Sequence, residues 1–342
     1  MSKVLFFASF VAVGLALPCL LPAQAPSPQA VEERQAAVAR AGEYRTKAGD
    51  FEAASYFPSD WAAAEALYAE AALMPTGSAG DVDRSTAAFN AAADSFSSIL
   101  RLTIPLYAQA REDEIIMLRD ALVAGGARAL FPELVRPADR AALAALDRYG
   151  AGDYYAARDY ADRAHAMFQV LETAFTAWRL RREIVQRGFM DYAQDNFERA
   201  EAIIEYAMRA HFAGDFPLAF ENAVEAQARY SLVLSSGWAA LAEYYSTAAK
   251  GKRVAAVDVR ANVAARDIFE EADGLYGSAA DSLRREYYRE AAMMFADAGA
   301  LYLVAKVSTL ERRRLAAEAI MEANRHIEEI IRAAERAELD AN

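Results

Sequence analysis

The chain has a single cysteine, Cys19, in 342 residues. One thiol cannot close an intramolecular disulfide or build a thiolate zinc site. Histidine is almost as scarce, with His165, His211 and His326 only. A di-metal carboxylate bundle takes paired Glu-x-x-His motifs from two helices. No Glu-x-x-His occurs, and Asp162-x-x-His165 has no second copy. Gly-x-Ser-x-Gly, Walker-type and Gly-x-Gly-x-x-Gly motifs are also missing. The carboxylate runs Glu112-Asp113-Glu114 and Glu328-Glu329 spread around a helix instead of converging. Ser235-Ser236-Gly237-Trp238 lacks a nearby histidine and reads as a helix interruption. We therefore expect no catalytic residue, no metal, no cofactor and no enzymatic activity.

Basic charge is deficient as well. Thirty-seven Lys and Arg face 49 Asp and Glu, a net −12. A nucleic-acid groove needs a basic face, so that partner class is excluded. The clusters at Arg179, Arg181 and Arg182 and at Arg312, Arg313 and Arg314 read as solvated helix faces with Glu one turn away. Period-two alternation is absent and β-branched residues are sparse. What remains is Ala-rich and 55% apolar, which favours helices and their close approach. The expected fold class is all-α.

The N-terminus carries an export signal. Lys3 supplies the positive start, Val4 to Leu21 the apolar run, and Ala23-Gln24-Ala25 the small residues a signal peptidase reads. We expect a signal peptide over 1–25, cleaved after Ala25. In a Gram-negative cell this gives a periplasmic protein. A lipoprotein signal through Cys19 is disfavoured by Pro18 before it. No second segment reaches 18 uninterrupted apolar residues, so no stable membrane span is expected after cleavage.

The chain is organised around the stretch that begins at Gly214. Gly214 suits a left-handed helix stop, Asp215 an N-cap, and Pro217 a first helical turn. Ala219, Ala223 and Ala226 follow at helical steps, with Phe216, Phe220 and Tyr230 on the same side. The pattern also occurs earlier in the chain as Gly152, Asp153, Tyr154, Ala157, Ala161, Ala164 and Phe168. A final copy, Tyr288, Ala292, Ala296, Gly299 and Leu303, has lost the Gly-Asp turn, so the last helix is expected to run unbroken from about Asp281 to Glu338 with Gly299 as a packing contact. A second pattern precedes each copy. Trp61, Ala64-Glu65 and Ala71 match Val135, Ala138-Asp139 and Ala145. They also match Phe197, Ala200-Glu201 and Ala207, and Phe269, Ala272-Asp273 and Ala279. The copies that start at Trp61, Val135, Phe197 and Phe269 are widely and unequally spaced. A long, purely helical period predicts stacked helical hairpins forming an elongated bundle or solenoid. The units are expected at 59–126, 127–188, 189–252 and 253–342, after an N-terminal helical segment at 26–58. Ser59 or Asp60 is the expected cap of the helix holding Trp61, Asp81 that of the next, and Pro105 is expected to kink its helix without ending it.

The order of large residue, Ala and Tyr, then Gly-Asp-aromatic, then Ala at helical steps, resembles tetratricopeptide-like repeats. SYFPSDWAAAEALYAEA and GDYYAARDYADRAHAMF are also similar to an Ala-rich domain of unknown function in exported Gram-negative envelope proteins. The resemblance covers about Ser55 to Val304. It implies helical hairpins, an envelope location and work done by surface contact.

The adjacent pairs Tyr154-Tyr155, Tyr244-Tyr245 and Tyr287-Tyr288 cannot both point inward on a helix. One ring of each is expected to meet solvent or a partner, which makes these six the candidate partner-binding residues. His211, near the Gly214 stop, is expected as a cation at the negative helix end. Ile320, Ile327, Ile330 and Ile331 form an apolar stripe that should dock or dimerise. The function expected is a non-catalytic periplasmic interaction or scaffold module that binds another envelope protein, with homo-oligomerisation through the C-terminal helix. The alternative is a ligand-binding helical protein that works with a membrane transporter.

Overall fold

A computed structural model describes residues 24–340; the expected signal segment up to residue 23, with Cys19, lies outside that range. The described residues form helices and no strand, so the chain is all-α. In order these are α1 (Pro28–Asp50), α2 (Ala53–Tyr56), α3 (Pro58–Leu73), α4 (Ala79–Ala124), α5 (Ala127–Leu130), α6 (Pro132–Gly150) and α7 (Tyr154–Arg187). A 3₁₀ turn (Met190–Ala193) leads to α8 (Gln194–Ala213), α9 (Phe216–Asp258), α10 (Ala261–Ala264), α11 (Arg266–Arg284) and α12 (Tyr288–Asp340). The described residues fall into two compact units, one of 24–114 and 145–161, the other of 115–144 and 162–340.

One local frame occurs four times among the described residues. Arg45, Arg119, Arg181 and Arg253 each donate from Nε to a carboxylate further along the chain, at the same sequence offset each time. The acceptors are Glu65, Asp139, Glu201 and Asp273, at 2.6, 2.8, 2.6 and 2.7 Å. Two turns after each Arg the backbone turns left-handed, at Glu52, Gly126, Gly188 and Arg260 (φ 59, 86, 69 and 61°). The next residue, Ala53, Ala127, Phe189 or Ala261, is buried. A single helical turn follows, and then α3, α6, α8 or α11 starts, in the same register from its Arg in all four cases. On each of those helices the Ala before the acid (Ala64, Ala138, Ala200, Ala272) is fully buried. A left-handed residue lets the chain leave a helix while its N–H still bonds back to the last turn. Here Glu52, Gly126, Gly188 and Arg260 donate to Gly49, Val123, Val185 and Val257.

The second corner of three of these frames is also shared. Gly152 and Gly214 are left-handed, and their two-bond Schellman pattern runs from Gly152 to Tyr149 and Asp153 to Arg148, and from Gly214 to His211 and Asp215 to Ala210. Asp153 and Asp215 then accept from Ala156 and Leu218 as N-caps. The last frame keeps this corner without its residues. Glu286 takes φ 63°, and Glu286 and Tyr287 donate to Leu283 and Ser282. The expected unbroken helix from Asp281 is therefore two helices, α11 and α12. The backbone bonds carry the turn although a non-glycine there costs about 1–2 kcal/mol. The first frame differs, with Ser78 and Asp81 bonding each other at the start of α4. So Ser78, and not Asp81, is its cap. Phe57, and not Ser59 or Asp60, precedes α3, with no side-chain cap. Pro105 lies inside a continuous α4.

The cores pack small residues against rings. In the first compact unit Ala48, Ala53, Ala64 and Ala92 surround Phe51 and Phe96. In the second, Ala200, Ala226, Ala279 and Ala292 surround Tyr230, Trp238 and Phe295, and Ala256, Ala272 and Ala298 surround Phe269 and Tyr302. Gly299 faces the Ala249 backbone, where a Cβ would lie 3.5 Å away. α12 holds an 18-residue stretch of mean hydropathy 1.3, long and apolar enough by composition to cross a membrane, and 39% of it is buried inside the fold. Its Ala292, Phe295, Ala298 and Tyr302 are core residues.

Ser235-Ser236-Gly237-Trp238 does not interrupt its helix: α9 continues through it. Gly237 is buried because the Phe189 ring lies against its backbone. A Cβ there would come within 2.3 Å of Phe189 Cγ and 2.8 Å of its Cβ. Gly237→Ala would gain up to about 1 kcal/mol of helix propensity but force an overpacked contact that costs about 1–3 kcal/mol. The expected result in a thermal melt is a lower midpoint, against the usual stabilisation of a mid-helix Gly→Ala change.

Candidate partner-binding surfaces

The six candidate tyrosines split as helix geometry requires. Tyr154, Tyr244 and Tyr287 are exposed (40, 66 and 57%), and Tyr155, Tyr245 and Tyr288 are half-buried. They are not one cluster. Tyr154 and Tyr155 belong to the first compact unit, and the other four to the second. Tyr245 and Tyr288 both pack on the Tyr230–Trp238–Phe295 core. Tyr244 sits edge-on to Tyr245 at 5.3 Å, and Tyr154 edge-on to Tyr149 at 5.4 Å. The inner ring of the Tyr244-Tyr245 pair thus anchors the outer one, whereas Tyr154 leans on a ring from the preceding helix.

Tyr155 has further chemistry around it. Its ring meets Phe51 edge-on at 5.2 Å and lies under the Arg158 guanidinium at 5.3 Å. Arg158 also reaches Asp50 at 3.6 Å. The Tyr155 hydroxyl is buried without a hydrogen-bond partner. Burial, and then the Asp50 charge, raise its pKa. Tyr155 lines an open cleft of about 570 Å³ with Ala39, Gly42, Glu43, Thr46, Lys47 and Asp50.

The Arg–carboxylate pairs add a third member in the last two frames. The Tyr230 hydroxyl donates to Glu201, and the Tyr302 hydroxyl to Asp273. Burial pushes the Glu201 carboxyl up, but the hydrogen bonds from Arg181 and Tyr230 together outweigh it and hold it below the usual range. The Arg253 hydrogen bond does the same for Asp273. Both tyrosine hydroxyls are raised, by burial first and by their carboxylates second. These polar groups are consumed by structure. Sequence reading singled out the Ala-acid pairs but missed Arg45, Arg119 and Arg253, and it took Arg181 for part of a solvated face with Glu one turn away, whereas its partner is Glu201 beyond the corner. Carrying the repeat comparison further upstream, to the helix before each Ala-acid pair, would have found the four arginines.

Trp238 is clasped between two cations, Arg187 at 4.3 Å and Arg289 at 5.5 Å, with Phe189 edge-on at 5.6 Å. Among the described residues no three His, Cys, Asp or Glu side chains are grouped to hold a metal ion. From Leu310 to Ala337 every residue of α12 is exposed, including Leu315, Ile320, Met321, Ile327, Ile330 and Ile331. No family model, curated protein or solved structure matches the chain.

His211 is not the exposed cation expected from its place at the end of α8. It is 5% exposed, its Nδ1 has no partner, and its ring packs edge-on to Phe212 and Phe216. Burial lowers its pKa below 6.5. The folded chain therefore holds fewer protons on this group than the unfolded chain once pH falls below that value, and stability is lost in that direction. The loss attributable to His211 is at most about 1.4 kcal/mol per pH unit. Urea unfolding at successive pH values from 7.5 down to 5 should show it, and His211→Leu should flatten that part of the profile.

Proposed function

We propose that this chain is a non-catalytic interaction module of the cell envelope, exported to the periplasm on a signal peptide cleaved after Ala25. Its four degenerate hairpin units, tetratricopeptide-like in pattern but spaced at nearly twice the roughly 34-residue period of that family, form a scaffold. The scaffold presents exposed rings to another envelope protein. One observation carries the reading. The same Arg–carboxylate pair, left-handed corner and buried alanine recur in the same register at Arg45, Arg119, Arg181 and Arg253. A chain that repeats one ion-paired corner four times in the same register is specialised for holding surface in place. Tyr154 on one unit, and Tyr244 and Tyr287 on the other, are large amphipathic side chains of the type that dominates interface energetics.

A second reading, a ligand-binding protein that serves a membrane transporter, has the cleft beside Tyr155 in its favour, with the unsatisfied hydroxyl there as a binding group. The alanine-against-ring packing of the core clusters supports the first reading.

Photo-crosslinking from position 244 or 287 in intact cells tests the scaffold role. We expect capture of a defined envelope protein. Tyr244→Ala and Tyr287→Ala should each reduce that capture about tenfold, as loss of an interface ring does, with the thermal midpoint unchanged because these rings are exposed. No captured partner, or a midpoint that falls with capture, would count against the proposal.

A further inference from the structure

The exposed part of α12 carries an ordered seam. Ala316, Ile320, Ala323, Ile327, Ile330 and Ala334 follow one another in alternating steps of four and three. That is the heptad spacing of a two-helix coil. Ile320, Ile327 and Ile330 are 61, 54 and 68% exposed, so nothing within the described chain covers the seam. From Leu310 to Ala337 this helix extends for about 42 Å at 1.5 Å per residue.

We propose that this seam pairs with the same segment of a second copy as an antiparallel two-helix coil. This inference stands apart from the envelope role above. The symmetry of the seam about its own midpoint points to a second copy as the occupant, and charge points to the direction. At the base of the segment stand Arg312-Arg313-Arg314, of which Arg314 pairs with Glu311 and Glu318 and Arg312 reaches the Ala264 carbonyl within the chain. Arg313 falls on the seam itself, one step before Ala316, and is exposed. A parallel pair would set Arg313 against Arg313 of the partner subunit and stack the two basic triplets. An antiparallel pair sets Arg313 opposite Ala337 of the partner subunit and so removes that contact between like charges. Folding the seam about Arg325 also matches side-chain sizes. Ile320 meets Ile330 of the partner subunit, Ala316 meets Ala334 of the partner subunit, and Ala323 meets Ile327 of the partner subunit. Alanines at half the seam positions let the two backbones approach closely.

The test uses the chain purified from cells with Cys19→Ser. Sedimentation should show a dimer that dissociates on dilution. Ile327→Glu combined with Ile330→Glu should weaken association at least tenfold and leave the thermal midpoint unchanged. A mixture of Arg313→Cys and Ala337→Cys chains should form a disulfide between the two variants, and Arg313→Cys alone should not cross-link to itself. A monomer up to about 100 µM, or a dimer that survives the paired glutamates, would overturn self-pairing. A midpoint that falls with those glutamates would overturn it as well, because the seam would then be packed within its own chain. Cross-links between two copies of position 313 would overturn the antiparallel direction.

Discussion

The guanidinium–carboxylate clasp across each first corner sets the geometry of everything after it. An Arg near the end of one helix reaches a carboxylate on the next helix but one, over a single helical turn. The clasp spans the corner, and the residue after the left-handed one is buried within it. Its energy is modest, because Arg181 and Glu201 are 42 and 35% exposed and water screens them. Its value lies in register. A guanidinium fork accepts a carboxylate in few orientations, so the clasp selects one rotation of the acid-bearing helix. That rotation turns Ala64, Ala138, Ala200 and Ala272 inward. With alanine at the contact, neighbouring helices come close enough for single rings such as Phe96, Tyr230 and Tyr302 to fill the remaining space.

Much of this was legible in the amino-acid order, because alanine at steps of three and four has one common use. The alignment of Trp61, Val135, Phe197 and Phe269 falls in identical register in three dimensions. What the order hides is tertiary. Arg181 looks like any exposed helical arginine until its partner, Glu201 beyond the corner, is placed beside it. Glu286 and Tyr287 carry no turn signature, yet the backbone bonds to Leu283 and Ser282 make the turn. Gly237 reads as a break when glycine is treated as punctuation. It is a helix position cleared for Phe189, a ring that precedes the whole of α8. His211 reads as a helix-end cation because its burial depends on Phe216 beyond the next turn. The outer rings of the tyrosine pairs followed from helix geometry alone; their division between two units did not.

The functional picture follows from where polar groups are placed. Glu201 with Tyr230 and Asp273 with Tyr302 are held in triads completed by Arg181 and Arg253, with lowered carboxylate and raised hydroxyl pKa values. The contact role proposed above draws on what these triads leave at the surface: rings outside the corners, a cleft beside Tyr155, and a long helix with an uncovered seam.

The decisive measurement is a double-mutant cycle at one corner, with Arg181→Met, Glu201→Gln and the pair, read by chemical unfolding. A clasp that fixes register should show a coupling of about 1 kcal/mol between the two sites. Strictly additive effects, with coupling indistinguishable from zero, would mean that the corners are held by backbone and alanine packing alone and that the arginines are ornaments of the surface.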